Sequence, residues 1–172
     1  MSDPDIDVAG AEADEPPATP LLCPVDGVPQ LSASAAQIAD AAARLYRGHG
    51  PFAVDAERAS GFRYSNRAYL IQIRRSGAGT VLIDPVNHGG SPLDALGPVA
   101  EVGLRPPSLY DTELAGRLAG LERVNLAAMV QRLLGLGLAK GHGAADWSKR
   151  PLPDAWLNYA ALDVEVLIEL RS

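Results

Sequence analysis

Apolar positions in this chain change period along its length. Between Ser32 and Tyr46 the residues Ile38, Ala42 and Leu45 recur at helical spacing, and Ser32 or Ser34 is placed to cap the helix they predict. Gly48-His49-Gly50-Pro51 ends it. The period then drops to two. Phe52 to Glu57 alternates, so Ala53, Asp55 and Glu57 share one face of a predicted strand. Tyr69 to Arg74 (YLIQIR) and Thr80 to Asp84 (TVLID) are two further strands, joined by the short glycine-rich turn Ser76-Gly77-Ala78-Gly79. Together they predict an antiparallel meander. From Pro85 to Pro107 the pattern weakens, with a short helix over Pro92 to Val102. Leu109-Tyr110 is a minimal strand. Helical spacing returns in Thr112 to Leu121 and Asn125 to Leu134. Lys140 to Pro153 reads as a polar loop. Asp154 to Leu170 is a final helix with Leu157, Ala161, Val164 and Ile168 on one stripe. Strands first and helices afterwards predict a mixed α/β domain.

Residues 1 to 20 carry no such pattern. They are acidic, alanine-rich and broken by Pro4, Pro16, Pro17 and Pro20, and are expected to form a disordered tail ahead of a domain over 21 to 172. The six acids Asp3, Asp5, Asp7, Glu12, Asp14 and Glu15 match the whole formal net charge of -6. The folded part is therefore near neutral, and the negative balance does not exclude a polyanionic partner. Of the 15 basic residues only Lys140 and Lys149 are lysine, and arginine suits bidentate phosphate contacts. Cys23 stands alone, which excludes an intrachain disulfide and a cysteine zinc cage. No apolar run is long enough for a membrane span, and the acidic start does not resemble a secretory signal, so a cytoplasmic protein is expected.

The chemistry lies in two acidic motifs. Asp55-Ala56-Glu57 sets two carboxylates on one face of a strand. Tyr159 and Asp163 lie one turn apart on one side of the last helix. Phosphodiester hydrolysis needs an activated water and relief of charge on the leaving oxygen, which two divalent ions about 3.5–4 Å apart can provide. Mg²⁺ is hard and prefers carboxylates, so several acids must converge on it.

In this order the motifs resemble the catalytic domain of ribonuclease D, of the DEDDy group of 3′→5′ exonucleases. The resemblance is carried by FAVDAERASGFRYSNRAYLIQI (Phe52 to Ile73), by LYDTELAGRL (Leu109 to Leu118) and by AKGHGAADWSKRPLPDAWLNYAALDVEVL (Ala139 to Leu167). It implies a ribonuclease H-like exonuclease fold, a mixed sheet flanked by helices, with strand order resembling 3-2-1-4-5. It implies Asp55, Glu57 and Asp163 as ligands of a two-ion Mg²⁺ or Mn²⁺ site and Tyr159 as the residue that positions the attacking water. Lys140 fits a phosphate contact and equally a solvated loop position. Asp146, Trp147 and Arg150 have a structural character. The implied partner is the 3′ end of RNA.

One part of the pattern is missing. The family's second motif places an aspartate after a fourth strand, at the start of a helix, between Asp84 and Leu109. PVNHGGSPLDALGPVAEVGLRPPS contains only Asp94 and Glu101, neither in that context. A strand of about 5–6 residues and a helix of about 11 are lacking. The expected consequences are an unpaired edge on the first strand or an inward shift of the fifth, and one carboxylate fewer at the metal. Two rival expectations follow: a non-catalytic remnant that binds nucleic acid or protein, and a DNA proofreading exonuclease.

Overall fold

The computed structural model describes residues 17–59, 61–64, 67–86, 97, 108–139 and 141–172. Its elements, in chain order, are β1 (Thr19–Leu21), β2 (Leu31–Ser32), α1 (Ala35–Arg47), β3 (His49–Arg58), β4 (Ala68–Ser76), β5 (Gly79–Ile83), α2 (Thr112–Leu118), α3 (Leu126–Leu134), β6 (Leu136–Leu138), α4 (Asp154–Glu165) and α5 (Leu167–Arg171).

Local chemistry sets the boundaries. Ser34 is the cap of α1: its hydroxyl accepts the Gln37 N–H, while the Gln37 side chain accepts the Ser34 N–H, a reciprocal capping box. Gly135, at φ +66°, ends α3 in the left-handed region and turns the chain directly into β6. The predicted final helix divides at Val166 into α4 and α5.

The meander is present as predicted. β3 pairs antiparallel with β4, and β4 with β5, while β2 adds in parallel to β5, so the order is β2-β5-β4-β3. The sheet has a core on each face. On one, Ile38, Ala41, Ala42 and Leu45 of α1 pack on Ile71, Ile73, Val81 and Ile83. On the other, Ala160 and Ala161 of α4, with Trp147 and Leu152, pack on Leu70 and Leu82. Leu45 is fully buried, and truncating it to alanine would cost about 2–5 kcal/mol.

Three expectations change. Thr19 and Pro20, placed in the tail, belong to β1, which pairs in parallel with β6; the Thr19 N–H donates to the Gly135 carbonyl at 2.9 Å. Leu109-Tyr110 is not a strand; both residues are exposed, because two β-formers without a neighbouring strand have no ladder to join. The fifth strand therefore does not move in beside the first, and β3 ends the sheet among the described residues. The predicted helix over Pro92 to Val102 lies outside the described residues except for Gly97. No helix among the described residues is long and apolar enough to cross a membrane.

Candidate functional site

The β3–β4 register fixes the direction of the acidic pair. Asp55 lies opposite Gln72 and Glu57 opposite Leu70, the residue that packs on α4. Both carboxylates therefore face α4. That helix approaches the sheet closely because Ala160 and Ala161 are small and fully buried. Its next inward position is Asp163. One ligand oxygen each from Asp55, Glu57 and Asp163 lies within 4.8 Å of the others, so the structure brings these three predicted residues together.

The environment opposes their charge. Burial, then the charges of Asp55 and Asp163, pushes Glu57 up to about 8. Burial raises Asp163 to about 7 against the pull of its hydrogen bond from Tyr159, with Asp55 raising it further. Burial lifts Asp55 as well, partly countered by the Ala56 N–H, which donates to its Oδ1 at 2.8 Å, and by Arg58. Three crowded oxygen-donor groups that repel one another are a donor set for a hard divalent cation, which would offset the repulsion.

Tyr159 is held from several sides. Its hydroxyl is hydrogen-bonded to Asp163. Burial and that neighbouring carboxylate raise the phenol above its ordinary value. A Cβ at Gly141 would lie 2.6 Å from the Tyr159 ring, so the loop can lie this close there only with glycine, and one at Gly143 would lie 3.2 Å from the hydroxyl, a tight contact. The His142 ring meets the phenol edge-on at 5.8 Å, and the His142 carbonyl accepts the Trp147 indole N–H at 3.1 Å.

Arg150 anchors this loop. Its guanidinium donates to both oxygens of Asp84 at 2.7 and 2.8 Å and to the carbonyls of Tyr69 and Trp147. Asp146 accepts the Ser148 hydroxyl at 2.6 Å, which holds its carboxyl below the ordinary range, and Arg63 donates to that same hydroxyl. The structural character expected of Asp146, Trp147 and Arg150 agrees with these contacts. Lys140 lies outside the described residues.

Three supporting residues escaped the sequence reading. Gln72, fully buried, donates to Glu57 at 3.3 Å. Its signal was a polar residue on the acidic face of an otherwise apolar strand. Asp84, partner of Arg150, stood at the end of TVLID. Glu165, two residues beyond Asp163, is buried and pairs with Arg74 at 3.0 Å; nothing in the helical stripe marked it.

A family model described as a 3′–5′ exonuclease matches residues 30–102 and 98–172. The two matched stretches meet at 98–102, inside the interval where the second motif is expected. DNA polymerase I of Aquifex aeolicus (strain VF5) is 44% identical over 68 residues, covering 40% of this chain and 12% of that protein. Ribonuclease D of Xanthomonas oryzae pv. oryzae (strain KACC10331 / KXO85) is 39% identical over 71 residues, 41% of this chain and 20% of that protein. The matched stretches thus span a fifth or less of these relatives. Among solved structures, a protein from Bifidobacterium adolescentis is 44% identical with a TM-score of 0.81, over 90% of this chain and 42% of that one. The catalytic core of RRP6 from Trypanosoma brucei has a TM-score of 0.68 at 21% identity, over 90% of this chain and 48% of that one, a likeness of fold. By the family match, and with the fold and sequence relatives in agreement, this chain belongs to the 3′–5′ exonuclease family as a ribonuclease D-type exonuclease domain.

Proposed function

We propose that this chain is a metal-dependent 3′→5′ exoribonuclease that removes nucleotides from the 3′ ends of RNA in the reducing cytoplasm, with catalysis weakened by the lack of a fourth carboxylate. The observation that carries this reading is the convergence of Asp55, Glu57 and Asp163 beside a phenol hydrogen-bonded to Asp163. In this reading the three carboxylates are the ligands of a two-ion Mg²⁺ or Mn²⁺ site. Bound there, divalent cations would supply neutralisation of phosphate charge and acidification of water.

The chain's own residues do the rest. Gln72 fixes one oxygen of Glu57, leaving the other free for the site. Tyr159, confined by Gly141, Gly143 and His142, holds the attacking water in line with the terminal phosphodiester. Water oxygen bonds to phosphorus and the bond to the 3′ oxygen breaks. A nucleoside 5′-monophosphate leaves, and the shortened strand retains a 3′ hydroxyl. Lys140 is the proposed phosphate contact in the adjoining loop.

A second reading is a remnant that binds without cleaving. The break in the family match at 98–102, and a cluster of three rather than four acids among the described residues, favour it. One experiment separates the two. RNA labelled at its 5′ end is incubated with Mn²⁺, with chelator, and beside a DNA strand of equal sequence. Stepwise shortening from the 3′ end, lost with chelator and preferring RNA, supports the proposal. Intact but retarded RNA identifies the remnant. Equal shortening of both strands points to recognition that ignores the 2′-hydroxyl.

A further inference from the structure

A second charged surface lies at the other end of the β3–β4–β5 meander. Gly48 follows the last turn of α1, and a Cβ there would come within 2.8 Å of the Ser76 carbonyl and 3.0 Å of the Arg75 side chain. This close approach jams the end of α1 against the end of β4. It brings Arg44, in the last turn of α1, to the same cleft as Arg75.

Arg75 is fixed there. It donates to the Leu45 carbonyl at 2.9 Å and to the Gly50 carbonyl at 3.2 Å, and its guanidinium lies 4.3 Å over the Phe52 ring. Arg44 donates to the Thr80 carbonyl at 3.1 Å. Among the described residues neither Arg44 nor Arg75 forms an ion pair. Beside them opens a cleft of about 490 Å³ along the hairpin Ser76 to Thr80. The acid that lines it, Asp26, faces Arg74, which also pairs with Glu165. The helix macrodipole favours one or two cations at this end. It does not require Arg75, which already bonds the Leu45 carbonyl, and Arg44, Arg74 and Arg75 against the single acid Asp26 give the cleft lining an excess of positive charge on a nearly neutral domain.

We infer that this surface binds the phosphodiester backbone of a single-stranded nucleic acid whose 3′ end lies at the carboxylate cluster. The identity of the ligand rests on the exonuclease reading; the charge excess does not. Guanidiniums match phosphate oxygens bidentately, and a guanidinium stacked on an aromatic ring offers its other face to a base. The distance is short: Phe52 precedes Asp55 by three residues on β3, about 10 Å at strand rise. Phe52 and Arg75 lie on the α1 face of the sheet and the acids on the α4 face. The strand must therefore cross β3, whose outer side has no partner strand among the described residues. Because this path runs around the edge of the sheet rather than along the strand, a strand longer than a dinucleotide is needed to reach both places.

The test uses the full chain and RNA of about twelve nucleotides, a length in the range of single-strand sites. Binding is titrated with salt in chelator, and Mn²⁺-dependent hydrolysis of a dinucleotide is measured separately. Arg44→Gln/Arg75→Gln should weaken long-strand binding about tenfold at low salt and flatten log K against log salt by about 0.7 for each phosphate no longer neutralised. Dinucleotide hydrolysis should be unchanged. Arg44→Lys/Arg75→Lys, which keeps the charge, should recover most of the binding and controls for folding. Unchanged affinity and slope in the glutamine variant, or a wild-type protein that does not bind the long strand, overturns the inference. A wild type that hydrolyses nothing, yet loses long-strand affinity in the variant, overturns the exonuclease reading and leaves the surface standing.

Discussion

The two sides of β3 differ in completeness. On the side that faces β4 and α4, every acid of the cluster is buried or half-buried and each has a hydrogen-bonding neighbour. On its outer edge β3 carries no further strand among the described residues. Beyond the interval where the family's second motif is expected, Leu109, ahead of α2, is 90% exposed and Leu118, at the end of α2, 82%. The lesson is that the carboxylate site is assembled by the β3–β4 ladder and the packing of α4. Its chemistry also calls on the interval between its motifs, which in the family carries the fourth ligand.

The largest expected effect tests the complete side. Asp163→Asn removes a ligand and a charge from one place. Any metal-dependent hydrolysis should fall on the order of 10³-fold, as loss of several kcal/mol of transition-state stabilisation implies. The metal-free protein should melt at the same temperature or higher, because the charge that repels Asp55 is gone. Activity kept near wild type would show that the site does not work as proposed; a large drop in metal-free melting temperature would show that Asp163 is structural.

Next comes the support of that side. Arg150→Ala removes the guanidinium from Asp84, which is 1% exposed. Breaking a buried pair on one side costs about 3 kcal/mol or more. Urea unfolding should show a lower midpoint with unchanged slope. A loss below about 1 kcal/mol would mean that Asp84 is held by its other partners, the Val86 N–H among them, and that the loop under Tyr159 is held by other contacts.

The same division explains what the sequence disclosed. α1, the meander, α3 and the acidic motifs were legible because each is written locally: a serine cap, alternation on β3, Tyr159 and Asp163 one turn apart. β1, β2 and β6 were not, since strands of two or three residues exist only through partners far along the chain, as Thr19 opposite Leu136 does. Gln72, Asp84 and Glu165 were missed for the same reason. Each is defined by the residue it meets, Glu57, Arg150 or Arg74, and no periodicity records that. Leu109-Tyr110 had strand composition, but no strand pairs with it among the described residues.

A smaller and more graded effect is expected from pH. Glu57 in the folded chain titrates near 8 against an ordinary 4.5, and Asp163 near 7 against 3.8. Below about pH 4 both groups are protonated in folded and unfolded chains, and no charge is buried. As pH rises from 4 to 8, the unfolded chain loses these protons first while the folded chain retains them. The unfolded state is favoured progressively, and stability falls by a total on the order of a few kcal/mol. Above pH 8 the loss is complete. Mn²⁺, by compensating the ionised cluster, should flatten the decline. Melting curves across this range, with and without the ion, measure both. A metal-free protein that gains stability between pH 5 and 8 would contradict the crowding of the three acids.

The smallest effect is expected at Asp111, on the incomplete side. If the chain had rebuilt its site by moving a fifth strand beside β3, Asp111 would open a helix next to that strand and serve as the fourth ligand. Instead Asp111 caps α2, its Oδ1 accepting the Leu114 N–H at 3.0 Å, after a segment that forms no strand. It is also not in the acidic cluster. Asparagine caps as well as aspartate, so Asp111→Asn should change stability by only a few tenths of a kcal/mol. Asp111→Ala should cost about 1 kcal/mol. Neither should move Mn²⁺ affinity, because the side chain serves the helix alone. Calorimetric Mn²⁺ titration of both variants decides the matter. A loss of affinity shared by Asn and Ala would place Asp111 at the metal and make the two sides of β3 parts of one rebuilt site. A loss of stability in Ala alone keeps them apart.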